Sequence, residues 1–120
     1  MIKILAADDD QGMLEFYKAL FSEAGFEVAT APDGAAAMER CLSFKPDLLV
    51  LDVDMPGGGG ERTFVLARKI LQLGVPVIFV TGLPERVQNF ALFEEKVCIL
   101  QKPVAAAALL AEVRRLLKLG

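Results

Sequence analysis

The sequence predicts a doubly wound α/β domain, a parallel five-stranded sheet with helices on both faces. Three observations predict it. Short apolar runs of strand length alternate five times with stretches of helical periodicity. The run Leu48-Leu49-Val50-Leu51 is apolar at every position, which is the pattern of a central parallel strand buried on both faces. The polar residues that follow the strands, Asp8, Asp9, Asp10, Asp52, Asp54, Thr81 and Lys102, would all share one rim of such a sheet.

The first strand is read over Ile2 to Ala7 and stops at three consecutive aspartates. From Gln11 to Ala24, Met13, Phe16, Tyr17, Leu20, Phe21 and Ala24 recur at helical spacing, and Gly25 is placed to stop that helix. Asp10 is positioned to cap its start. Phe26 to Thr30 reads as the second strand. Pro32-Asp33-Gly34 makes a turn in which Asp33 can cap an alanine-rich helix, Ala35 to Leu42. Pro46 then leads into the central strand.

After Pro56, the tract Gly57 to Gly60 reads as a mobile loop, because four glycines raise the entropy cost of ordering it. A helix from about Glu61 to Leu73 follows, with Phe64, Ala67 and Leu71 on one face and Gly74 at its end. Val75 to Val80 is the fourth strand, with Pro76 near its start where a missing donor does least harm. Pro84 suits the first turn of a fourth helix reaching about Phe93. Val97 to Leu100 is the fifth strand. Val104 to Lys118 closes the chain as a helix, with Leu109, Val113, Leu116 and Leu117 inward and Glu112, Arg114, Arg115 and Lys118 outward.

Composition narrows the function. The 120 residues fit one domain large enough to bury a core without staples, and 54% hydrophobic with 24% charged residues excludes a disordered chain. No apolar run approaches the roughly 20 residues that cross a bilayer, and Met1-Ile2-Lys3-Ile4 lacks the shape of a secretory signal. The reading is a cytoplasmic domain with no membrane partner. With 13 basic against 16 acidic residues the chain lacks a basic footprint, so direct nucleic-acid binding is not expected. Cys41 and Cys98 lie apart in apolar surroundings and read as buried free thiols. No histidine occurs, so any chemistry runs on carboxylates, Lys, Thr or a hard metal ion.

At the end of a buried strand, Asp52 costs several kcal/mol if ionised and unpaired, so it demands a cation or a proton. Taken alone, Asp52 and Asp54 could equally open a turn. The other strand ends decide between these. The set Leu5-Ala6-Ala7-Asp8-Asp9-Asp10, Leu51-Asp52-Val53-Asp54-Met55-Pro56, Val80-Thr81-Gly82 and Lys102-Pro103 resembles the receiver domain of two-component response regulators, and the resemblance covers essentially the whole chain, 1–120.

That resemblance implies a flavodoxin-like three-layer sandwich with strand order 2-1-3-4-5 and its switch point between the first and third strands. It implies that Asp52 is a phosphoacceptor served by a sensor histidine kinase or a histidine phosphotransfer protein, in a signalling domain that is not itself a turnover enzyme. Asp9 and Asp52 would ligate Mg2+ directly, Asp8 largely through water, and the backbone carbonyl of Asp54 would complete the set; Mn2+ is a second candidate. Unit charges ~4 Å apart repel by about 4 kcal/mol at an effective dielectric near 20, so three such acids call for a cation. Mg2+ suits an oxygen-only donor set. Lys102 would neutralise phosphoryl oxygens, Thr81 would donate its hydroxyl to them, and the Lys102-Pro103 step would be cis. Gly82, small, fits close approach of backbone to the anion. Output, including a homodimer, would use the face of the fourth helix, fifth strand and fifth helix.

Three departures stand out. Ile99 occupies the position three before Lys102 where receivers often carry a switching aromatic. The glycine tract replaces a more varied loop, and Thr81 to Lys102 is one residue shorter than is common, which predicts a short or irregular fourth helix. Asp52-Val53-Asp54 also resembles the first motif of haloacid dehalogenase-type phosphatases, although that motif usually follows the first strand of a larger fold. A receiver-like binding module that is never phosphorylated is the other alternative. A flavin-binding domain fits least, because the acidic first loop would repel a phosphate.

Overall fold

Strands form at all five apolar runs in the computed structural model, which describes residues 1–56, 59–69, 72, 74–94 and 96–119. They are β1 Lys3–Ala7, β2 Glu27–Ala31, β3 Leu48–Leu51, β4 Val77–Thr81 and β5 Val97–Gln101. Helices α1 Gln11–Glu23, α2 Gly34–Phe44, α3 Gly59–Lys69, α4 Gln88–Phe93 and α5 Ala106–Leu116 alternate with them. All strand pairs are parallel, in the order β2-β1-β3-β4-β5.

Side chains alternate across this sheet into two cores. Leu5, Leu49, Leu51 and Phe79 pack under α2, α3 and α4, with Ala37, Cys41, Phe64 and Ala67 from those helices. Ile4, Ala6, Leu48, Val50, Ile78 and Val80 pack on the other side against Tyr17 and Phe21 of α1 and Leu109 and Val113 of α5. The central strand β3 is buried at every position, as its unbroken apolar run requires. Cys41 is buried and Cys98 half-buried, both unpaired, and burial pushes each thiol up to about 11.

The register places the rim. Ala7 is the partner of both Ala31 and Leu51, so the residues after them, Asp8 and Asp52, emerge side by side. The ladder continues one step further, with Asp8 N donating to Ala31 O at 3.1 Å and Asp52 N to Ala7 O at 3.0 Å.

Boundaries depart from the sequence reading where tertiary packing prevails over local pattern. Phe26 turns under Phe21, its amide donating to Phe21 O at 3.0 Å, so β2 begins one residue later than expected. Leu14 joins Tyr17 and Phe21 in the buried row of α1, while Met13 and Phe16 are only half-buried. β4 begins at Val77, since Pro76 has no amide to donate; its carbonyl instead accepts from Leu49 N at 3.0 Å. The segment after Thr81 is a 3₁₀ turn, Pro84–Arg86, followed by an α4 of six residues, which matches the short, irregular helix expected there. α5 begins at Ala106, two residues later than the expected Val104.

α3 begins at Gly59 instead of Glu61, so half of the glycine tract is helical. Gly59 has φ of 71°, and a Cβ on it would overlap the carbonyl oxygen of Val53; a Cβ on Gly60 would overlap that of Asp52. These two glycines are therefore required by a close backbone approach, which is an ordered role and not the looseness the composition suggested. Gly57 and Gly58, and Leu71 and Leu73 at the expected end of this helix, lie outside the described residues.

Candidate functional site

Asp8 and Asp52 leave adjacent strands and are 0% and 5% exposed, which is rare for carboxylates unless each is paired. Each oxygen has a role. Asp8 Oδ1 accepts from the amide of Asp10 at 2.9 Å, and Asp8 Oδ2 from Lys102 Nζ at 2.9 Å. Asp52 Oδ1 accepts from the amide of Val53 at 2.7 Å, and Asp52 Oδ2 from Lys102 Nζ at 3.2 Å. One ammonium thus bridges both buried acids.

Lys102 reaches them from the end of β5. Its amide donates to Thr81 O at 2.9 Å, continuing the pairing of β5 with β4, and its peptide bond to Pro103 is cis. Burial pulls its pKa down, but the hydrogen bond and charge of Asp8, and then those of Asp52, outweigh that and leave it above the ordinary lysine value. Burial pushes the Asp8 carboxyl above its usual range; the Asp10 amide and Lys102 oppose the rise, and the charge of Asp52 adds to it.

Asp9 is exposed, yet its carboxylate joins the other two: oxygens of Asp8, Asp9 and Asp52 all lie within 4.8 Å of one another. Oxygen-only donors with surplus negative charge fit a hard divalent cation such as Mg2+. Asp10 does not belong to this group, because its side chain caps α1 by accepting from Gly12 N at 2.9 Å. Asp54 is exposed.

Thr81 is 1% exposed, and its Oγ1 accepts from the amide of Leu83 at 2.9 Å, a local turn bond that leaves the hydroxyl proton to be donated elsewhere. A Cβ on Gly82 would meet nothing within 4 Å, so no contact in this state requires a glycine there. Ile99 is half-buried and lines a pocket with Pro84, Glu85 and Gln88.

Sequence reasoning missed the Val53 amide that orients Asp52, a backbone contact with no residue-type signal. It also missed the hydroxyl of Tyr17, which is fully buried and finds no hydrogen-bond partner among the described residues. A lone tyrosine in a helix row otherwise built of phenylalanine and leucine was the available signal.

The arrangement of acids, threonine and lysine on the C-terminal edge of a 2-1-3-4-5 sheet coincides with a family match: residues 4–114 match the response regulator receiver domain. The chain belongs to that family. This receiver domain is 33% identical over 119 residues to the transcriptional regulatory protein PrrA of Mycobacterium tuberculosis, covering 97% of the chain and 50% of that protein. It is 34% identical to the response regulator MprA of Mycobacterium leprae, over 98% of the chain and 51% of that protein. The receiver thus spans about half the length of these curated relatives. Among solved structures, a CheY-like receiver from Methanospirillum hungatei superposes with a TM-score of 0.87 at 26% identity, covering 98% of this chain and 94% of the other. Chemotaxis protein CheY4 of Vibrio cholerae gives 0.85 at 29% identity, over 97% and 98% of the two chains. The family match decides against the dehalogenase-type and flavin-binding readings of the acidic motif. No helix among the described residues is long and apolar enough to cross a membrane.

Proposed function

We propose that this receiver is a working phosphoacceptor: Asp52 takes a phosphoryl group from a phospho-histidine on a sensor kinase or phosphotransfer protein, with Mg2+ in the cluster of Asp8, Asp9 and Asp52. The observation that supports this best is the convergence of those three carboxylates with the Lys102 ammonium at the ends of β1, β3 and β5. The backbone carbonyl of Asp54, two residues beyond the acceptor, would complete the metal's ligands. Bound Mg2+ would offset the charge of the carboxylates and of the incoming phosphoryl oxygens.

The chain's own residues supply the rest. An oxygen of Asp52 attacks phosphorus as the bond from phosphorus to the donor's histidine nitrogen breaks, and the electron pair leaves with that nitrogen. The Val53 amide holds the carboxylate in orientation. Lys102, already within hydrogen-bond reach of Asp52, moves its bond to the phosphoryl oxygens and neutralises charge in a loose transition state. Thr81 donates its hydroxyl proton in a hydrogen bond to a phosphoryl oxygen as the bond from phosphorus to Asp52 forms, and keeps that bond in the product. The acyl phosphate thereby draws in the turn after β4, which joins the α4, β5 and α5 face. With Ile99 in place of an aromatic, that face signals by apolar repacking beside Pro84 and Gln88, to a partner or to a second copy of the chain.

Intact mass after acetyl phosphate treatment tests the reading. A single phosphoryl adduct is expected in the presence of Mg2+ and none after chelation, and Asp52→Asn abolishes it. An adduct that persists in Asp52→Asn refutes the assignment.

A further inference from the structure

Two stretches of chain leave the rim, one after Asp52 and one after Thr81, and the ion pair of Glu61 with Arg86 rejoins them next to the Thr81 turn. On the first, the amide of Gly60 donates to Val53 O at 3.3 Å, and Gly59 and Gly60 press on the carbonyls of Val53 and Asp52 too closely for any side chain. The start of α3 is therefore pinned to the backbone of Asp52 itself. Glu61 is the next residue, and its Oε1 accepts from Arg86 Nη2 at 2.5 Å. On the second stretch, Arg86 ends the 3₁₀ turn, where its amide donates to Leu83 O at 3.1 Å; the Leu83 amide in turn holds Thr81 Oγ1.

We propose that Glu61 and Arg86 are positioning residues that clamp the Thr81 turn in its resting place and so set how readily Asp52 is phosphorylated. The proposal rests on the reading of Asp52 as phosphoacceptor and Thr81 as its hydrogen-bond donor. For Thr81 to swing towards a phosphoryl group, either its bond to the Leu83 amide breaks or the turn follows. The second course carries Arg86 away from Glu61, which cannot follow because α3 is pinned. An interaction made in one state and weakened in the other shifts the equilibrium by its difference between the two.

The size is bounded. Arg86 and Glu61 side chains are 44% and 30% exposed, so the pair contributes at most about the fivefold that a strong surface pair supplies. It is also screened by salt. A second ion pair, Arg68 with Glu94, joins α3 to the far end of α4 and serves as the comparison, because it lies away from the Thr81 turn.

The test measures labelling rates of the full chain with acetyl phosphate and Mg2+ at low ionic strength, alongside a thermal melt of each variant. Glu61→Gln and Arg86→Gln are each expected to speed labelling, by up to about fivefold, and the double variant by no more than either alone. The gain over wild type should vanish near 1 M salt, where the screening length is about 3 Å. Glu94→Gln should lower the melting temperature and leave the rate unchanged. Unchanged, slower or additive rates in the Glu61 and Arg86 variants overturn the clamp. A wild-type chain that acquires no adduct on Asp52 overturns the phosphoacceptor reading, and the clamp falls with it.

Discussion

Tyr17 is the chain's one tyrosine, and its ring stacks on Phe21 at 6.0 Å with only 3° between the planes. The hydroxyl gains nothing comparable. Buried without a partner among the described residues, it is held protonated, first by burial and then by the nearby charges of Asp8 and Asp52. An unsatisfied buried hydroxyl costs about 1–3 kcal/mol, so Tyr17→Phe is expected to stabilise the domain by about 1 kcal/mol in a denaturant melt. A loss of stability would show that the hydroxyl has a partner in solution. At Asp8, Asp52 and Lys102 the residue types were legible from sequence, since a buried strand ending in acid demands a cation. That one ammonium would bridge both acids was not, because Lys102 lies 94 and 50 residues from them along the chain.

At the scale of elements, α3 shows how composition can mislead. Four glycines in a row signal looseness, yet Gly59 and Gly60 are needed because the helix start sits against the backbone that carries Asp52. Gly60→Ala is therefore expected to destabilise the fold by about 1–3 kcal/mol through overlap with the Asp52 carbonyl. Gly82→Ala, at a site with open space, should fall within about 0.5 kcal/mol of wild type in the same denaturant melts. Equal effects at the two positions would remove the close-approach account. Strands were read to within one or two residues, and β3 at its observed limits, because a doubly buried strand leaves an unbroken apolar run. The break between the 3₁₀ turn and α4 was legible only as a shortened spacing. Val87, fully buried, sits at that break outside helical geometry.

For the whole molecule, the rim trades stability for function, and pH reports it. Asp8 has a raised pKa in the fold, so it favours folding fully below its unfolded value of 3.8, and that contribution is lost as pH rises through its folded pKa. Wherever Asp8 is ionised in the fold, its buried charge therefore works against folding. Lys102, also raised, contributes fully below its ordinary 10.5 and loses that contribution as pH rises through its folded pKa. In thermal melts of the metal-free chain at pH 7, Asp8→Asn should raise the melting temperature, because burial of the carboxylate is the largest influence on Asp8 and exceeds what Lys102 returns. The gain should shrink as pH falls towards 3.8, where wild-type Asp8 is also protonated. Mg2+ should stabilise wild type in a concentration-dependent way and Asp8→Asn less, since a ligand that binds only the folded state stabilises by mass action. A lower melting temperature for Asp8→Asn at pH 7 would contradict this account.

From sequence alone came the alternation of five strands and five helices, the doubly buried central strand, and the residue types that gather on its rim. Each is written locally, in apolar periodicity and in where a hydrophobic run stops. Tertiary structure alone decided the pairing of Ala7 with Leu51 that sets Asp8 beside Asp52, and the reach of Lys102 to both. It alone decided the pinning of Gly59 and Gly60 against the backbone of Asp52 and Val53 and the meeting of Glu61 with Arg86. The physical reason is that these contacts join residues 25 to 94 positions apart or depend on backbone atoms that every residue shares, so no local pattern records them.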